Sequence, residues 1–262
     1  KLELSDHPEL LIRAPEQSRW RLGSYSRYTG DGFERDERDR KPLTEAIPTA
    51  GDDSPSPEYD IRVEPQRPMN TLVTVWRPAF GDAENRAVSV SEERALTVEE
   101  PIASGELYAT VTYGPPSRTE AAERSGQGSY PPEIERRYTQ LPEDTPQRLG
   151  EKTESIAADA GAETPFETAQ AVDSWLKTNK EYSLNATHDR SNDVADEFVF
   201  EMDAGYCEYF ATAMTAMLRT QGVPARYVTG YSGGEQVSEN EYLVRGKHAH
   251  AWVEVYITDV GW

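Results

Sequence analysis

The sequence predicts an α+β protein in two parts, a smaller mainly-β domain over residues 1–130 and helices followed by strands over 131–262. Three observations predict it. Up to about residue 130, short β-forming runs are separated by Gly, Pro, Asp and Ser, and no helical period is sustained. Later, Cys207, Phe210, Ala211, Met214, Met217, Leu218 and Gln221 recur at the spacing of one helix face. Over Ala249–Ile257 the pattern switches to strict alternation, which marks a strand.

The strand-like runs of the first part are Leu10–Arg13, Tyr59–Val63, Leu72–Trp76, Ala87–Val90 and Leu107–Tyr113. Glu34–Arg40 is wholly charged and Gly51–Pro57 is rich in Ser, Pro and Asp, so both read as solvated loops. The character changes near Ser129. Pro131-Pro132 opens a short helix over Glu133–Tyr138, and longer helices are predicted over Thr145–Ala160 and Thr164–Lys180. Thr164-Pro165-Phe166-Glu167 has the form of a capping box with proline at the first helical position. Asp189–Asp196 reads as an acidic loop. Gly222-Val223-Pro224 ends the helix that starts at Cys207. Strands follow at Ala225–Tyr231, Glu241–Arg245 and Ala249–Ile257, with a polar turn over Ser232–Glu239.

Composition narrows the function classes. The chain carries 47 acidic against 27 basic residues, for a net charge of −20, and only 6 of the basic residues are Lys. Phosphate binding needs clustered Lys and Arg, so a nucleic-acid partner is excluded. Acid-rich, lysine-poor surfaces suit concentrated salt, where self-repulsion is screened, and predict a halophilic, haloarchaeal source. The single cysteine allows neither an intrachain disulfide nor a cysteine-based zinc cage. No apolar run approaches the ~18–20 residues of a membrane span. The abrupt ends suggest a soluble piece of a longer protein.

Cys207 sits where a helix begins. Free backbone N–H groups and the positive end of the helix dipole stabilise an anion there, so its thiol is expected to have a lowered pKa and to act as a nucleophile. The plainer reading is a small buried hydrophobe. In Ala249–Ile257, alternation sends Ala249, Ala251, Val253, Val255 and Ile257 to one face, the core. His250, Trp252, Glu254 and Tyr256 fall on the other, a site wall or a solvent face. A cysteine at a helix start facing a histidine on a strand fits nucleophile and general base, the imidazole taking the thiol proton and returning one to the leaving amine. His248 lies two residues from His250 and is the rival base. His248, His250 and Glu254 have loose metal-ligand character, but no third histidine is near and a zinc site is not expected. Asn185-Ala186-Thr187 is a glycosylation sequon.

The stretches Gly205-Tyr206-Cys207-Glu208-Tyr209-Phe210-Ala211, Met217-Leu218-Arg219, Gly222-Val223-Pro224-Ala225-Arg226-Tyr227-Val228-Thr229-Gly230-Tyr231, His250-Ala251-Trp252-Val253-Glu254-Val255-Tyr256 and Gly261-Trp262 resemble the transglutaminase-like core in order, spacing and residue type. Tyr138-Thr139-Gln140-Leu141-Pro142, Tyr182-Ser183-Leu184 and Phe198–Phe200 resemble its prokaryotic, membrane-anchored branch. Trp20–Phe33 is similar to that branch's extracytoplasmic β domain. The resemblance implies a papain-like arrangement with a Cys–His–Asp triad, in which Cys207 matches the nucleophile and His250 the base. The family's Asp follows the Gly-Trp pair and would fall about four residues beyond Trp262, so the resemblance implies a fragment that lacks its third member and with it full activity. Asp259 is the local alternative, but it falls in a turn. Tyr206 and Trp252 are candidate pocket residues, and the Cys207 N–H is a natural oxyanion donor.

The expected reaction is acyl transfer from a carboxamide or peptide bond of a protein substrate through a thioester on Cys207. Either an amine or water is the acceptor, with a lean to hydrolysis, and no cofactor is implied. The resemblance also implies flanking membrane helices in the full-length protein and an extracytoplasmic location. The rival reading is a non-catalytic transglutaminase-fold module for binding or assembly at the cell surface.

Overall fold

The structure is a computed structural model that describes residues 4–35, 40–47, 58–189 and 191–262. The loop expected at Gly51–Pro57 and most of that at Glu34–Arg40 lie outside these residues.

Strands from both ends of the chain build its largest sheet. In order across the sheet they are Glu235–Ser238, Glu241–Arg245, Pro8–Arg13, Glu58–Pro65, Tyr108–Tyr113 and Arg77–Asp82, with all pairs antiparallel. Alternation in Glu58–Pro65 puts Tyr59, Ile61 and Val63 inside, where they meet Leu10, Ile12, Trp20 and Leu72. A three-stranded sheet is equally mixed. Its central strand Ala225–Tyr231 pairs with Ala249–Val255 on one side and Trp20–Tyr25 on the other, leaving the histidine-bearing strand at the edge. The change near residue 130 therefore separates mainly strands from helices, but hydrogen-bonded sheets run across it.

A second core lies under the helices Gln147–Ala160, Pro165–Asn179 and Cys207–Thr220, around Leu149, Val172, Leu176, Phe198, Met217 and Leu218. The Thr164 capping box is present, with Glu167 returning to the backbone of Thr164. Val172 and Leu176 are almost completely buried, and each such burial contributes about 1.5–3 kcal/mol. The helix Cys207–Thr220 is held at its far end by Arg219. This buried guanidinium donates to the carbonyls of Ala225, Ser26 and Gln140 at 2.8–2.9 Å.

Several elements differ from the sequence reading. The expected acidic loop Asp189–Asp196 contains a helix start. Asp193 accepts from the N–H groups of Ala195 and Asp196, and Val194–Phe200 is helical. The acidic residues masked the apolar face formed by Ala195, Phe198 and Val199, and Asp196 itself is buried against Arg148. The run Leu72–Trp76 divides: one strand ends at Leu72 and the next begins at Arg77. The polar turn Ser232–Glu239 carries the strand Glu235–Ser238. The last strand ends at Val255, and its polar face is covered rather than open. Trp252 is buried, and Glu254 is enclosed between two arginines.

That enclosure joins all three strands of the smaller sheet. Glu254 accepts from Arg226 Nε at 2.7 Å, and Arg21 Nε lies 3.3 Å from its other oxygen. Arg21 and Arg226 are themselves 0% and 3% exposed. Burial opposes ionisation of Glu254, but Arg226 and Arg21 together outweigh it and hold the carboxyl below its ordinary value. A carboxylate with a depressed folded pKa contributes stability above its unfolded pKa, and that contribution is lost as pH falls through the folded value. Glu254→Gln should leave two buried cations uncompensated and cost about 3–5 kcal/mol. In urea unfolding, the gap between wild type and variant should be full at neutral pH and close as pH falls below the ordinary carboxyl value of 4.5.

Candidate active site

Cys207 is the first residue of its helix, and Gly205 two positions earlier allows the chain to enter there. A Cβ on Gly205 would lie 2.6 Å from the Phe198 ring and 2.9 Å from Tyr209 Cβ. The helix start therefore sits directly on the buried Phe198, and any side chain would lift it off. Cys207 is 7% exposed and packs on Ala211, Tyr227 and Ala251. Its sulfur accepts from the N–H groups of Ala251 and Glu208 and from the Tyr182 hydroxyl. The Tyr182 oxygen in turn accepts from the Cys207 N–H.

His250 is brought in by the register of its strand. It stands opposite Gly230, where a Cβ would meet the Trp20 carbonyl oxygen at 2.0 Å, so only glycine lets Trp20–Tyr25 pack this close. Ala251, the next residue, supplies the N–H that reaches the Cys207 sulfur. Cys207, His250, Trp252 and Tyr182 line one cleft of about 420 Å³, with Phe210, Ala211 and Met214 as its apolar floor. Arg19 enters from the N-terminal segment, its guanidinium 5.6 Å from the centre of the Trp252 ring.

The electrostatics differ from the sequence expectation. Burial raises the Cys207 thiol, assisted by neighbouring Glu208, and the three hydrogen-bond donors only partly offset it. Burial also lowers His250, and the charge of Arg19 pushes the same way. The free cleft therefore favours neutral thiol beside neutral imidazole, not the expected ion pair. A helix start does aim donors at the sulfur, but desolvation outweighs them.

The other candidates fall into place by contact. Tyr206 is not among the cleft-lining residues. Its ring packs edge-on against Tyr209 at 4.7 Å, and its hydroxyl bonds Glu208. His248 lies in a 3-10 turn before the strand, where its Nδ1 accepts from the Arg245 N–H at 2.9 Å. Asp259 is an exposed turn residue with φ 62°, away from the cleft. Glu254 is committed to its arginines. Among the described residues no group of His, Cys, Asp and Glu could hold a metal ion. Asn185 of the sequon lies in an exposed turn.

Sequence reasoning on the chemistry passed over two residues, Tyr182 and Arg19. Tyr182 is 58% exposed yet stacks on Phe210 with centroids 6.2 Å apart. The signal available was a lone tyrosine in the quoted family stretch. Arg19 gave no signal, because it precedes a strand, Trp20–Tyr25, that joins the site only through long-range pairing. Tyr182→Phe should raise the thiol pKa and slow iodoacetamide alkylation of Cys207 at neutral pH by about three- to tenfold, the worth of one hydrogen bond to a thiolate. An unchanged rate would remove Tyr182 from the site.

Comparison with known proteins bears on the domain and its fold. Residues 154–262 match the family described as the transglutaminase-like superfamily, so the chain carries a transglutaminase-like domain there. A 134-residue stretch is 37% identical to the uncharacterized protein YebA of Bacillus subtilis, covering 48% of this chain and 18% of that protein. A 71-residue stretch is 45% identical to a protein-glutamine gamma-glutamyltransferase of Pseudomonas aeruginosa, covering 27% of this chain and 11% of that one. The chain thus spans less than a fifth of the length of these curated relatives. The fold is that of the periplasmic domain of TgpA from Pseudomonas aeruginosa, with a TM-score of 0.72 at 23% identity over 98% of this chain and 86% of that one. The haloarchaeal source expected from the charge balance is not borne out.

Proposed function

We propose that this chain is the thiol-enzyme domain of a transglutaminase-like protein and transfers acyl groups from protein carboxamide or peptide bonds through Cys207. One observation carries the reading: the sulfur of Cys207, at a helix start, is met by the amide next to His250, in a cleft both residues line. In the reaction His250 takes the thiol proton as sulfur bonds to the carbonyl carbon. The oxyanion forms beside the Cys207 N–H, displacing the Tyr182 oxygen that receives it in the free protein. The carbon–nitrogen bond then breaks and the amine leaves with the proton held on His250, giving a thioester. Water or an amine attacks the thioester, passes its proton to His250, and frees Cys207. Water is the favoured acceptor in this reading.

Because burial sets both groups neutral at rest, proton transfer accompanies attack instead of preceding it. The same shifts would suit a binding module with an inert cysteine, the second reading. On this reading the domain works at the extracytoplasmic face of a membrane, a location supported by the periplasmic domain whose fold it shares. Among the described residues no helix is long and apolar enough to cross a membrane.

The pH dependence of Cys207 alkylation by iodoacetamide separates the readings. The enzyme reading predicts a neutral-pH rate that falls at least tenfold in His250→Ala, since a base within reach is worth about 10²–10⁴. A rate governed by the thiol alone, with no response to His250→Ala, would leave the binding module.

A further inference from the structure

The cleft is cationic in a chain that is strongly anionic. The protein has only 6 lysines against 47 acidic residues, yet Lys177 and Lys180 both line this one cleft, as does Arg19. The one carboxylate among the lining residues, Asp173, is bound to Lys177 at 2.7 Å. The Lys180 ammonium donates to the Met202 carbonyl and lies 5.7 Å from the Phe198 ring centre, where the charges of Asp203 and Glu201 act on it. Arg19 is exposed and has no ion-pair partner among the described residues; its guanidinium lies over Trp252, near enough that its charge is felt by His250.

An acidic protein gains nothing in solubility from such a cluster. One uncompensated cation, Arg19, in a cleft that holds the nucleophile above an apolar floor selects a ligand with an anionic group beside an apolar stem. We infer that the cleft selects acyl donors carrying a carboxylate next to the reacting carbonyl, as in acidic peptide segments, with Arg19 as the anion-binding residue. This rests on the acyl-transfer reading for what happens next, but the charge selection can be measured without turnover. Planar Arg19 can take a carboxylate through two parallel hydrogen bonds while its other face stays on Trp252. A cationic peptide would be repelled by the same group.

The test compares two reagents that alkylate the same thiol, anionic iodoacetate and neutral iodoacetamide. Each rate on Cys207 is divided by the rate on N-acetylcysteinamide under the same conditions. At 0.1 M salt the normalised iodoacetate-to-iodoacetamide ratio should exceed one by about fivefold, as expected for a unit charge a few ångströms away in a partly solvated cleft. It should fall towards one at ~1 M salt. Arg19→Gln should lower it, Arg19→Lys should largely retain it, and Arg19→Glu should carry it below one. A ratio near one that responds neither to salt nor to Arg19→Glu would overturn the inference, and the salt series reads it even if a variant fails to fold. The His250 dependence of the iodoacetamide rate alone reports the acyl-transfer reading. A normal ratio with strong His250 dependence would therefore leave that reading intact, and the reverse result would refute that reading and leave the charge selection standing.

Discussion

The Glu254 carboxylate, held between Arg21 and Arg226, fixes the relation between the N-terminal strands and the half of the molecule that carries Cys207 and His250. Each of the three charges lies on a different strand of the small sheet; the two arginines are buried and the Glu254 side chain keeps only 10% of its surface exposed. Three charges this deep are tolerated only while all are present, because each desolvation cost is met by the others' attraction. The interaction works over short distances. Glu254 is four residues from His250 on the same strand, so a slip in the register that pairs it with Arg226 would also carry His250 from its place opposite Gly230. Trp20 reinforces the same register from the outer strand through its carbonyl contact at Gly230.

Given that frame, the chemistry is set by competition between desolvation and local donors. The helix start and the Ala251 amide favour a thiolate, but enclosure in an apolar pocket wins in the free protein. Arg19 adds a further asymmetry: it disfavours imidazolium at His250 while favouring any anion that enters the cleft. A carboxylate that occupied Arg19 would cancel that positive field at the moment the imidazole must take a proton. Substrate recognition and base activation would then be two consequences of one neutralised charge.

Much of this was legible in the sequence, for identifiable reasons. The helix Cys207–Thr220 and the strands Ala225–Tyr231 and Glu241–Arg245 follow from local periodicity and stop signals, though burial extends past the expected helix face to Tyr209, Ala213 and Ala216. The Thr164 cap was readable because capping chemistry is local. Three features were not, because they depend on residues far apart in sequence. Alternation correctly put His250, Trp252 and Glu254 on one face, yet could not reveal that Arg21, from over 200 residues earlier, covers it. The helix Val194–Phe200 was hidden by its acidic residues, whose charges are absorbed by Arg148 and by the cap at Asp193. The direction of the Cys207 shift depends on how deeply the thiol is enclosed, which a helix-start argument does not contain.

The most direct test of the account is mass spectrometry of the protein quenched in acid during reaction with a glutamine-containing acidic peptide, with ammonia measured in parallel. The account predicts a thioester adduct of peptide mass minus ammonia on Cys207, absent in Cys207→Ala and sensitive to hydroxylamine, with ammonia released as it forms. Ammonia release that persists in Cys207→Ala, or failure of any adduct to form on Cys207, would contradict acyl transfer through this residue.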